Sequence, residues 1–179
     1  MMSEEKTIKS EMIYEGRILN LRVDTVELEN RKYSKREIVE HANAVAIIPF
    51  KEDKIVFVRQ FRKAVNKDLL ELPAGLIESN ELPKEAASRE LQEEIEYDAK
   101  NFEYLFDSYS SPGFTDEKMS YFLATELFPS KRENDEDEFL NIEEYTLEEA
   151  LKMIEEGKIE DSKTIIGLLY LNMRNCSNA

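Results

Sequence analysis

The stretch from Pro83 to Ile95 constrains the chain more than any other, because it reads as a helix with two incompatible faces. Ala87, Leu91 and Ile95 fall on one apolar stripe, while Glu90, Glu93 and Glu94 crowd into about a third of the circumference beside it. Like charges so placed repel one another, unless a divalent cation sits among them. Hard cations such as Mg²⁺ take oxygen ligands, commonly one or two carboxylates together with substrate phosphates. The helix therefore has to pack by its apolar stripe and keep its acids beside a phosphate-binding, metal-loaded site. Pro83 opens it at a position where proline is well tolerated.

The chain has 179 residues, which suits one domain with a small appendage and allows a proper core. Its formal net charge of −15 argues against a nucleic-acid backbone or an anionic membrane as partner. A bound polyphosphate then has to be met by local arginines and by metal. The one cysteine, Cys176, excludes a disulfide within the chain and fits a reducing, cytoplasmic setting. Residues Met1 to Lys6 lack an apolar core of signal-peptide type, and no apolar run approaches membrane-spanning length.

Alternation predicts strands over most of the region from Ile8 to Val39, clearest in Ile18–Leu28, with a hairpin turn at Glu29–Lys32 and a return strand from Tyr33 to Glu40. Ala44–Phe50 is a continuous apolar run suited to a central strand. Lys51–Lys54 turns it into Ile55–Phe61, and Leu69–Gly75 reads as one short strand leading to the acidic helix. Beyond it, Phe102–Ser108, Met119–Thr125 and Leu140–Tyr145 read as strands, with a charged loop at Arg132–Glu138. Thr146–Glu149 is a capping box opening a helix that ends near Gly157. A last helix, Ser162 to about Met173, is expected to bury Ile165, Ile166, Leu168, Leu169 and Leu171. This order implies an α/β or α+β fold.

Gly75, Glu81, Arg89, Glu90, Leu91, Glu93 and Glu94 together resemble, in register, the Nudix box of hydrolases that cleave a nucleoside diphosphate linked to another moiety. Glu96 stands where the box has its second glycine. A glutamate costs about 1 kcal/mol there if the left-handed backbone is kept, or else shifts the turn. The resemblance implies the Nudix fold, a mixed β-sheet sandwiched between helices, in residues 43–179. It also implies an N-terminal antiparallel β-unit, residues 1–42, of the kind that exchanges between subunits and builds a homodimer in the ADP-ribose pyrophosphatase branch. From the residues alone, those strands would read as an extension of the monomer's own sheet.

The resemblance also distributes roles. Glu90 and Glu94 are implied metal ligands, with the Ala74 carbonyl and Glu138 as further ones and Glu93 as a catalytic residue beside them, a further ligand through water. Arg89 is implied to pair with Glu81 and orient the loop that begins at Gly75. Arg62, and more weakly Arg59, align with substrate-binding arginines whose planar forks suit diphosphate oxygens. Arg36 and Glu40 are implied at an adenosine site. A proline at a set distance beyond the box marks enzymes of this branch, and Pro112 stands at that distance, with Gly113 and Glu117 in the same loop. The catalytic base is implied on the downstream loop, where counting back from Thr146 favours Glu136, with Glu133 and Glu138 as alternatives. His41, the only histidine, reads as structural or surface.

The implied activity is Mg²⁺-dependent hydrolysis of ADP-ribose to AMP and ribose 5-phosphate, with Mn²⁺ as an alternative ion. Two rivals stand beside it. One is a hydrolase of another nucleoside diphosphate sugar, such as GDP-mannose. The other is a Nudix-fold sensor that binds ADP-ribose without cleaving it, a class that tends to lose box glutamates retained here.

Overall fold

The computed structural model describes residues 5–132 and 140–177. Two units emerge among these residues. One comprises the N-terminal strands together with Ser108–Met119, and the other Ala44–Asp107 with Ser120 onward.

The first unit is a three-stranded antiparallel sheet of β1 (Lys6–Glu15), β2 (Leu19–Glu27) and β3 (Tyr33–His41), in the order β1-β2-β3. The β2–β3 turn closes through Leu28 N–H donating to the Lys32 carbonyl at 2.8 Å, with Arg31 in the left-handed region at φ 59°. The 108–119 segment is pinned to β3. Val39 N–H donates to the Phe114 carbonyl at 2.7 Å, and Val39 bridges Thr115. All of β1 is exposed, including Ile8, Met12, Ile13 and Tyr14.

The second unit is built on β4 (Ala44–Lys51), β5 (Lys54–Arg62), β6 (Lys67–Glu71), β7 (Ala74–Leu76), β8 (Tyr97–Tyr109), β9 (Lys118–Pro129) and β10 (Asn141–Thr146). The sheet runs β10-β5-β4-β9-β8, with β6 pairing β5 and β7 pairing β4. The helices are α1 (Pro83–Glu94), α2 (Leu147–Glu155) and α3 (Ser162–Ser177). Odd and even residues of each strand point to opposite faces, so two cores form. On one side Ala87, Leu91 and Ile95 of α1 pack on Val45, Ile47, Val56 and Val58. On the other, Ala150 of α2 and Leu168 and Leu171 of α3 pack on Ile48, Ile55, Phe57 and Leu70. Each fully buried Leu or Ile contributes about 1.5–3 kcal/mol, so α1 is held by its apolar stripe rather than by propensity.

Three readings of the sequence need correction. The stretch expected as one strand from Leu69 to Gly75 is two. Pro73 has no N–H to give a ladder, so the chain breaks after Glu71 and resumes at Ala74, with the Pro73 carbonyl accepting from Ile47 N–H at 2.9 Å. The flanking strands β8 and β9 run longer than alternation suggested. Ile166 and Leu169 of α3 are exposed rather than buried, because they lie off the Leu168–Leu171 face.

At the end of α1 the chain keeps the left-handed turn. Glu96 has φ 60°, its carbonyl accepts from Ser130 N–H at 3.0 Å, and its carboxylate pairs with Lys131 at 2.5 Å. Of the two alternatives for that position, the left-handed backbone is held at its steric cost to a residue with a Cβ.

Candidate active site

Glu90 and Glu94 are one turn apart on α1 and both buried, at 8% and 6% exposure. They face the start of β7. A Cβ added at Gly75 would overlap the Glu90 carboxylate, so only glycine admits that acid. Ala74 N–H donates to Glu94 Oε2 at 3.1 Å. Buried carboxylates are costly unless cations and hydrogen bonds meet them, and α1 places two side by side.

Arg89 meets much of that cost. Its Nε and Nη2 donate to the two Glu81 oxygens at 2.9 and 3.0 Å, and Nη2 also donates to the Leu76 carbonyl at 2.8 Å. Its Nη1 reaches Glu90 at 2.6 Å and Glu93 at 2.9 Å. The paired guanidinium holds the Glu81 carboxyl below its usual range, and the same bonds raise Arg89 further. Arg132 adds a contact to Glu93 at 3.4 Å. One arginine thus ties the loop from Leu76 to Glu81 onto the acidic face of α1.

The two arginines of β5 part company. Arg62 shares a face with Val58 and with Glu71 on the neighbouring strand, and its Nε and Nη2 donate to the Glu71 carboxylate at 2.7 and 2.7 Å. Glu94 is near enough to raise the Arg62 pKa through its charge, after the larger effect of Glu71. Arg59 lies on the opposite face. It pairs with Glu143 of β10 at 2.6 Å and lines a groove of about 610 Å³ with Lys67, Tyr145 and Lys158. Glu143 in turn accepts from the Tyr145 hydroxyl at 2.6 Å, which pushes the phenol up. The structure brings Arg62 and not Arg59 towards the α1 side.

In the first unit, Arg36 donates to Glu5 at 2.8 and 2.5 Å and to Ser34 Oγ at 2.9 Å. Glu40 faces Arg22, with Oε1 3.2 Å from Nε. The 108–119 loop gathers beside the end of β3. His41 N–H donates to Asp116 Oδ1 at 2.9 Å, and its Nδ1 lies 2.8 Å from the Ala42 carbonyl and 3.5 Å from Glu117. Pro112 and Gly113 form the turn closed by Phe114 N–H on the Ser111 carbonyl at 3.0 Å. Gly113 needs no left-handed φ and a Cβ there would meet nothing, so the turn itself does not demand glycine.

The donor set on α1 consists of oxygen atoms, which suits a hard divalent cation. Among the described residues no three His, Cys, Asp or Glu groups gather closely enough to hold an ion unaided. An ion bound by one or two carboxylates and completed by substrate phosphates asks for no more than Glu90 and Glu94 provide. Glu133, Glu136 and Glu138 lie outside the described residues. Sequence reasoning missed Glu71 and Lys163. The fold buries Glu71 and mostly covers Lys163, and only the pairing of β6 with β5 and the start of α3 brings them to Arg62.

The model of the NUDIX domain matches residues 40–166, and that of the nucleoside diphosphate sugar hydrolase N-terminal domain matches residues 5–39. A Bacillus methanolicus protein named methanol dehydrogenase activator is 49% identical over 96% of this chain and 94% of its own. An ADP-ribose pyrophosphatase of Bacillus subtilis is 46% identical over 98% of this chain and 97% of its own. A crystal structure titled ADP compounds hydrolase superposes with a TM-score of 0.90 at 22% identity, covering 98% of this chain and 96% of that one. That last likeness bears on fold alone.

Proposed function

The chain belongs to the Nudix family, and on that premise we propose that it hydrolyses the diphosphate of ADP-ribose to AMP and ribose 5-phosphate. The observation that carries this reading is the buried pair Glu90 and Glu94 on α1, set against Ala74 and Gly75 with the whole acidic box in register. Relatives named ADP-ribose pyrophosphatase, at 46% identity in Bacillus subtilis and 36% in Mycobacterium tuberculosis, support the substrate.

Glu90 and Glu94 would hold a divalent cation, with the Ala74 carbonyl, Glu93 and Glu138 as further contributors. We take the ion to be Mg²⁺, with Mn²⁺ able to use the same oxygens. Such an ion, when bound, neutralises diphosphate oxygens and makes a bound water more acidic. The chain's own groups do the rest. Arg62 offers its guanidinium to a diphosphate oxygen, with Arg59 at most a distant aid. Arg89 and Glu81 keep the loop from Gly75 registered on α1. Glu136 takes a proton from the attacking water, whose oxygen bonds to one phosphorus as that phosphorus parts from the bridging oxygen.

Arg36, Glu40, Pro112, Gly113 and Glu117 belong in this reading to recognition of the adenosine and ribose. The unit that carries them is residues 1–42 with the 108–119 loop, and it serves as the dimer surface. Its exposed Ile8, Met12, Ile13 and Tyr14 support pairing with a second copy. The single cysteine and the charge of −15 support a cytoplasmic setting and a small-molecule rather than a nucleic-acid partner.

The test is phosphate-coupled turnover of ADP-ribose, GDP-mannose, a diadenosine polyphosphate and a nucleoside triphosphate with Mg²⁺, by wild type and Glu94→Gln. ADP-ribose should turn over fastest, with a loss of about 100-fold or more in the variant. Faster GDP-mannose turnover would move the substrate, and binding of ADP-ribose without turnover would make the protein a sensor.

A further inference from the structure

We propose that Lys163, at the start of α3, is a positioning residue for Arg62 and acts through the Glu71 carboxylate. This rests on the reading above, in which Arg62 meets the substrate diphosphate.

Glu71 ends β6 with its side chain 1% exposed. Both its oxygens are engaged: Oε1 by Arg62 Nε and Oε2 by Arg62 Nη2 and by Lys163 Nζ. Lys163 is itself 12% exposed and pairs with Asp161 Oδ2 at 3.1 Å. The same Asp161 oxygen caps α3, accepting from Thr164 N–H at 3.0 Å and Thr164 Oγ1 at 2.6 Å. Thr164, fully buried, accepts from Leu72 N–H at 2.8 Å. Two consecutive residues of α3 thus grip two consecutive residues of the chain, Lys163 on the Glu71 side chain and Thr164 on the Leu72 backbone.

This grip sets the orientation of Arg62. A side-on bidentate pair fixes the plane of a guanidinium and uses the Nε–Nη2 edge. The Nη1 edge is turned away from Glu71, on the guanidinium that also feels the charge of Glu94. The Arg62 side chain is 40% exposed, so the guanidinium keeps surface to offer a ligand. A carboxylate with only Arg62 to answer it would be free to rotate towards that arginine. With Lys163 on Oε2 and Thr164 on the adjoining backbone, Glu71 has one place to be, and Arg62 follows. Binding energy from a pre-set guanidinium is spent on the substrate rather than on ordering the side chain.

The experiment is steady-state ADP-ribose hydrolysis at saturating Mg²⁺ by wild type, Lys163→Met, Lys163→Arg, Arg62→Ala and the Lys163→Met/Arg62→Ala double variant. Lys163→Met should raise KM roughly five- to tenfold with kcat within about twofold. Lys163→Arg should recover most of that loss. In the Arg62→Ala background, Lys163→Met should change kcat/KM by less than about twofold, since the residue it positions is gone. Should Lys163→Met not fold, Lys163→Gln, which leaves the Asp161–Thr164 cap in place, gives the same readout at smaller amplitude. A full Lys163→Met loss persisting in the Arg62→Ala background overturns the proposal, as does an unchanged KM in Lys163→Met or in Arg62→Ala. Turnover of nothing by the wild type overturns the hydrolase reading and this inference with it. Wild-type turnover with an indifferent Lys163 overturns the inference alone.

Discussion

Arg89 donates into both oxygens of Glu81, at 2.9 and 3.0 Å, while its third nitrogen bridges Glu90 and Glu93. The planar fork serves a loop and a helix at once. A lysine is a point donor and cannot reproduce that geometry. Arg89→Lys should therefore destabilise the fold by about 3 kcal/mol, read as a fall in the urea midpoint with an unchanged slope.

Glu96 sits at φ 60° on an exposed turn with one surface ion pair to Lys131. Surface pairs of this kind contribute about 0–1 kcal/mol, whereas the left-handed backbone costs a non-glycine residue about 1–2 kcal/mol. Glu96→Gly should stabilise by up to about 1 kcal/mol, partly offset by the freer unfolded chain. Thermal unfolding of the two proteins side by side measures it, and turnover should not change.

Burial alone would push the Glu71 carboxyl up, but Arg62 and Lys163 together hold it below its ordinary value of 4.5. A depressed carboxyl contributes stability that is complete above about pH 4.5 and is lost as pH falls through the folded-state value. Glu71→Gln should cost about 1–3 kcal/mol at pH 7, because it leaves the nearly buried Lys163 short of a charged partner, while the 40% exposed Arg62 is partly met by solvent. Below pH 4.5 its stability should fall less steeply than that of wild type. Urea titrations between pH 7 and pH 3 test both the offset and the slope.

If Glu136 takes the proton from water, Glu136→Gln should lower kcat by about 10²–10⁴ with KM nearly constant. Glu133→Gln should leave kcat within a few-fold. Metal-saturated kinetics of both variants, with Glu138→Gln alongside, separate the base from its acidic neighbours.

The elements were legible where one periodicity ruled a long segment. The box helix, the Ala44 strand and the Thr146 capping box all stand where pattern put them, because each carries its own start signal or apolar stripe. The β6–β7 break was less visible. Reading Leu69–Gly75 as one strand passes over the N–H that Pro73 lacks. The exposure of Ile166 and Leu169 could not be read from composition, since α3 offers apolar residues around more of its circumference than the sheet can cover. At the site, spacing on a single helix was enough to juxtapose Glu90, Glu93 and Glu94. The tie from Arg62 through Glu71 to Lys163 spans strands and a helix far apart in sequence, and nothing local announces it.

Strand β5 assigns its arginines by parity. Arg62 is even and turns to Glu71, and Arg59 is odd and turns to Glu143. Removing or adding one residue between Lys54 and Val58 would exchange the sides of the sheet to which every later side chain is sent. Arg59 and Arg62 would trade surroundings, and Val58 would leave its core for the opposite face. The length of this strand is thus fixed twice over. Drift in chain length at this hairpin is tolerable only in the Lys63–Asn66 turn, where parity has already been spent.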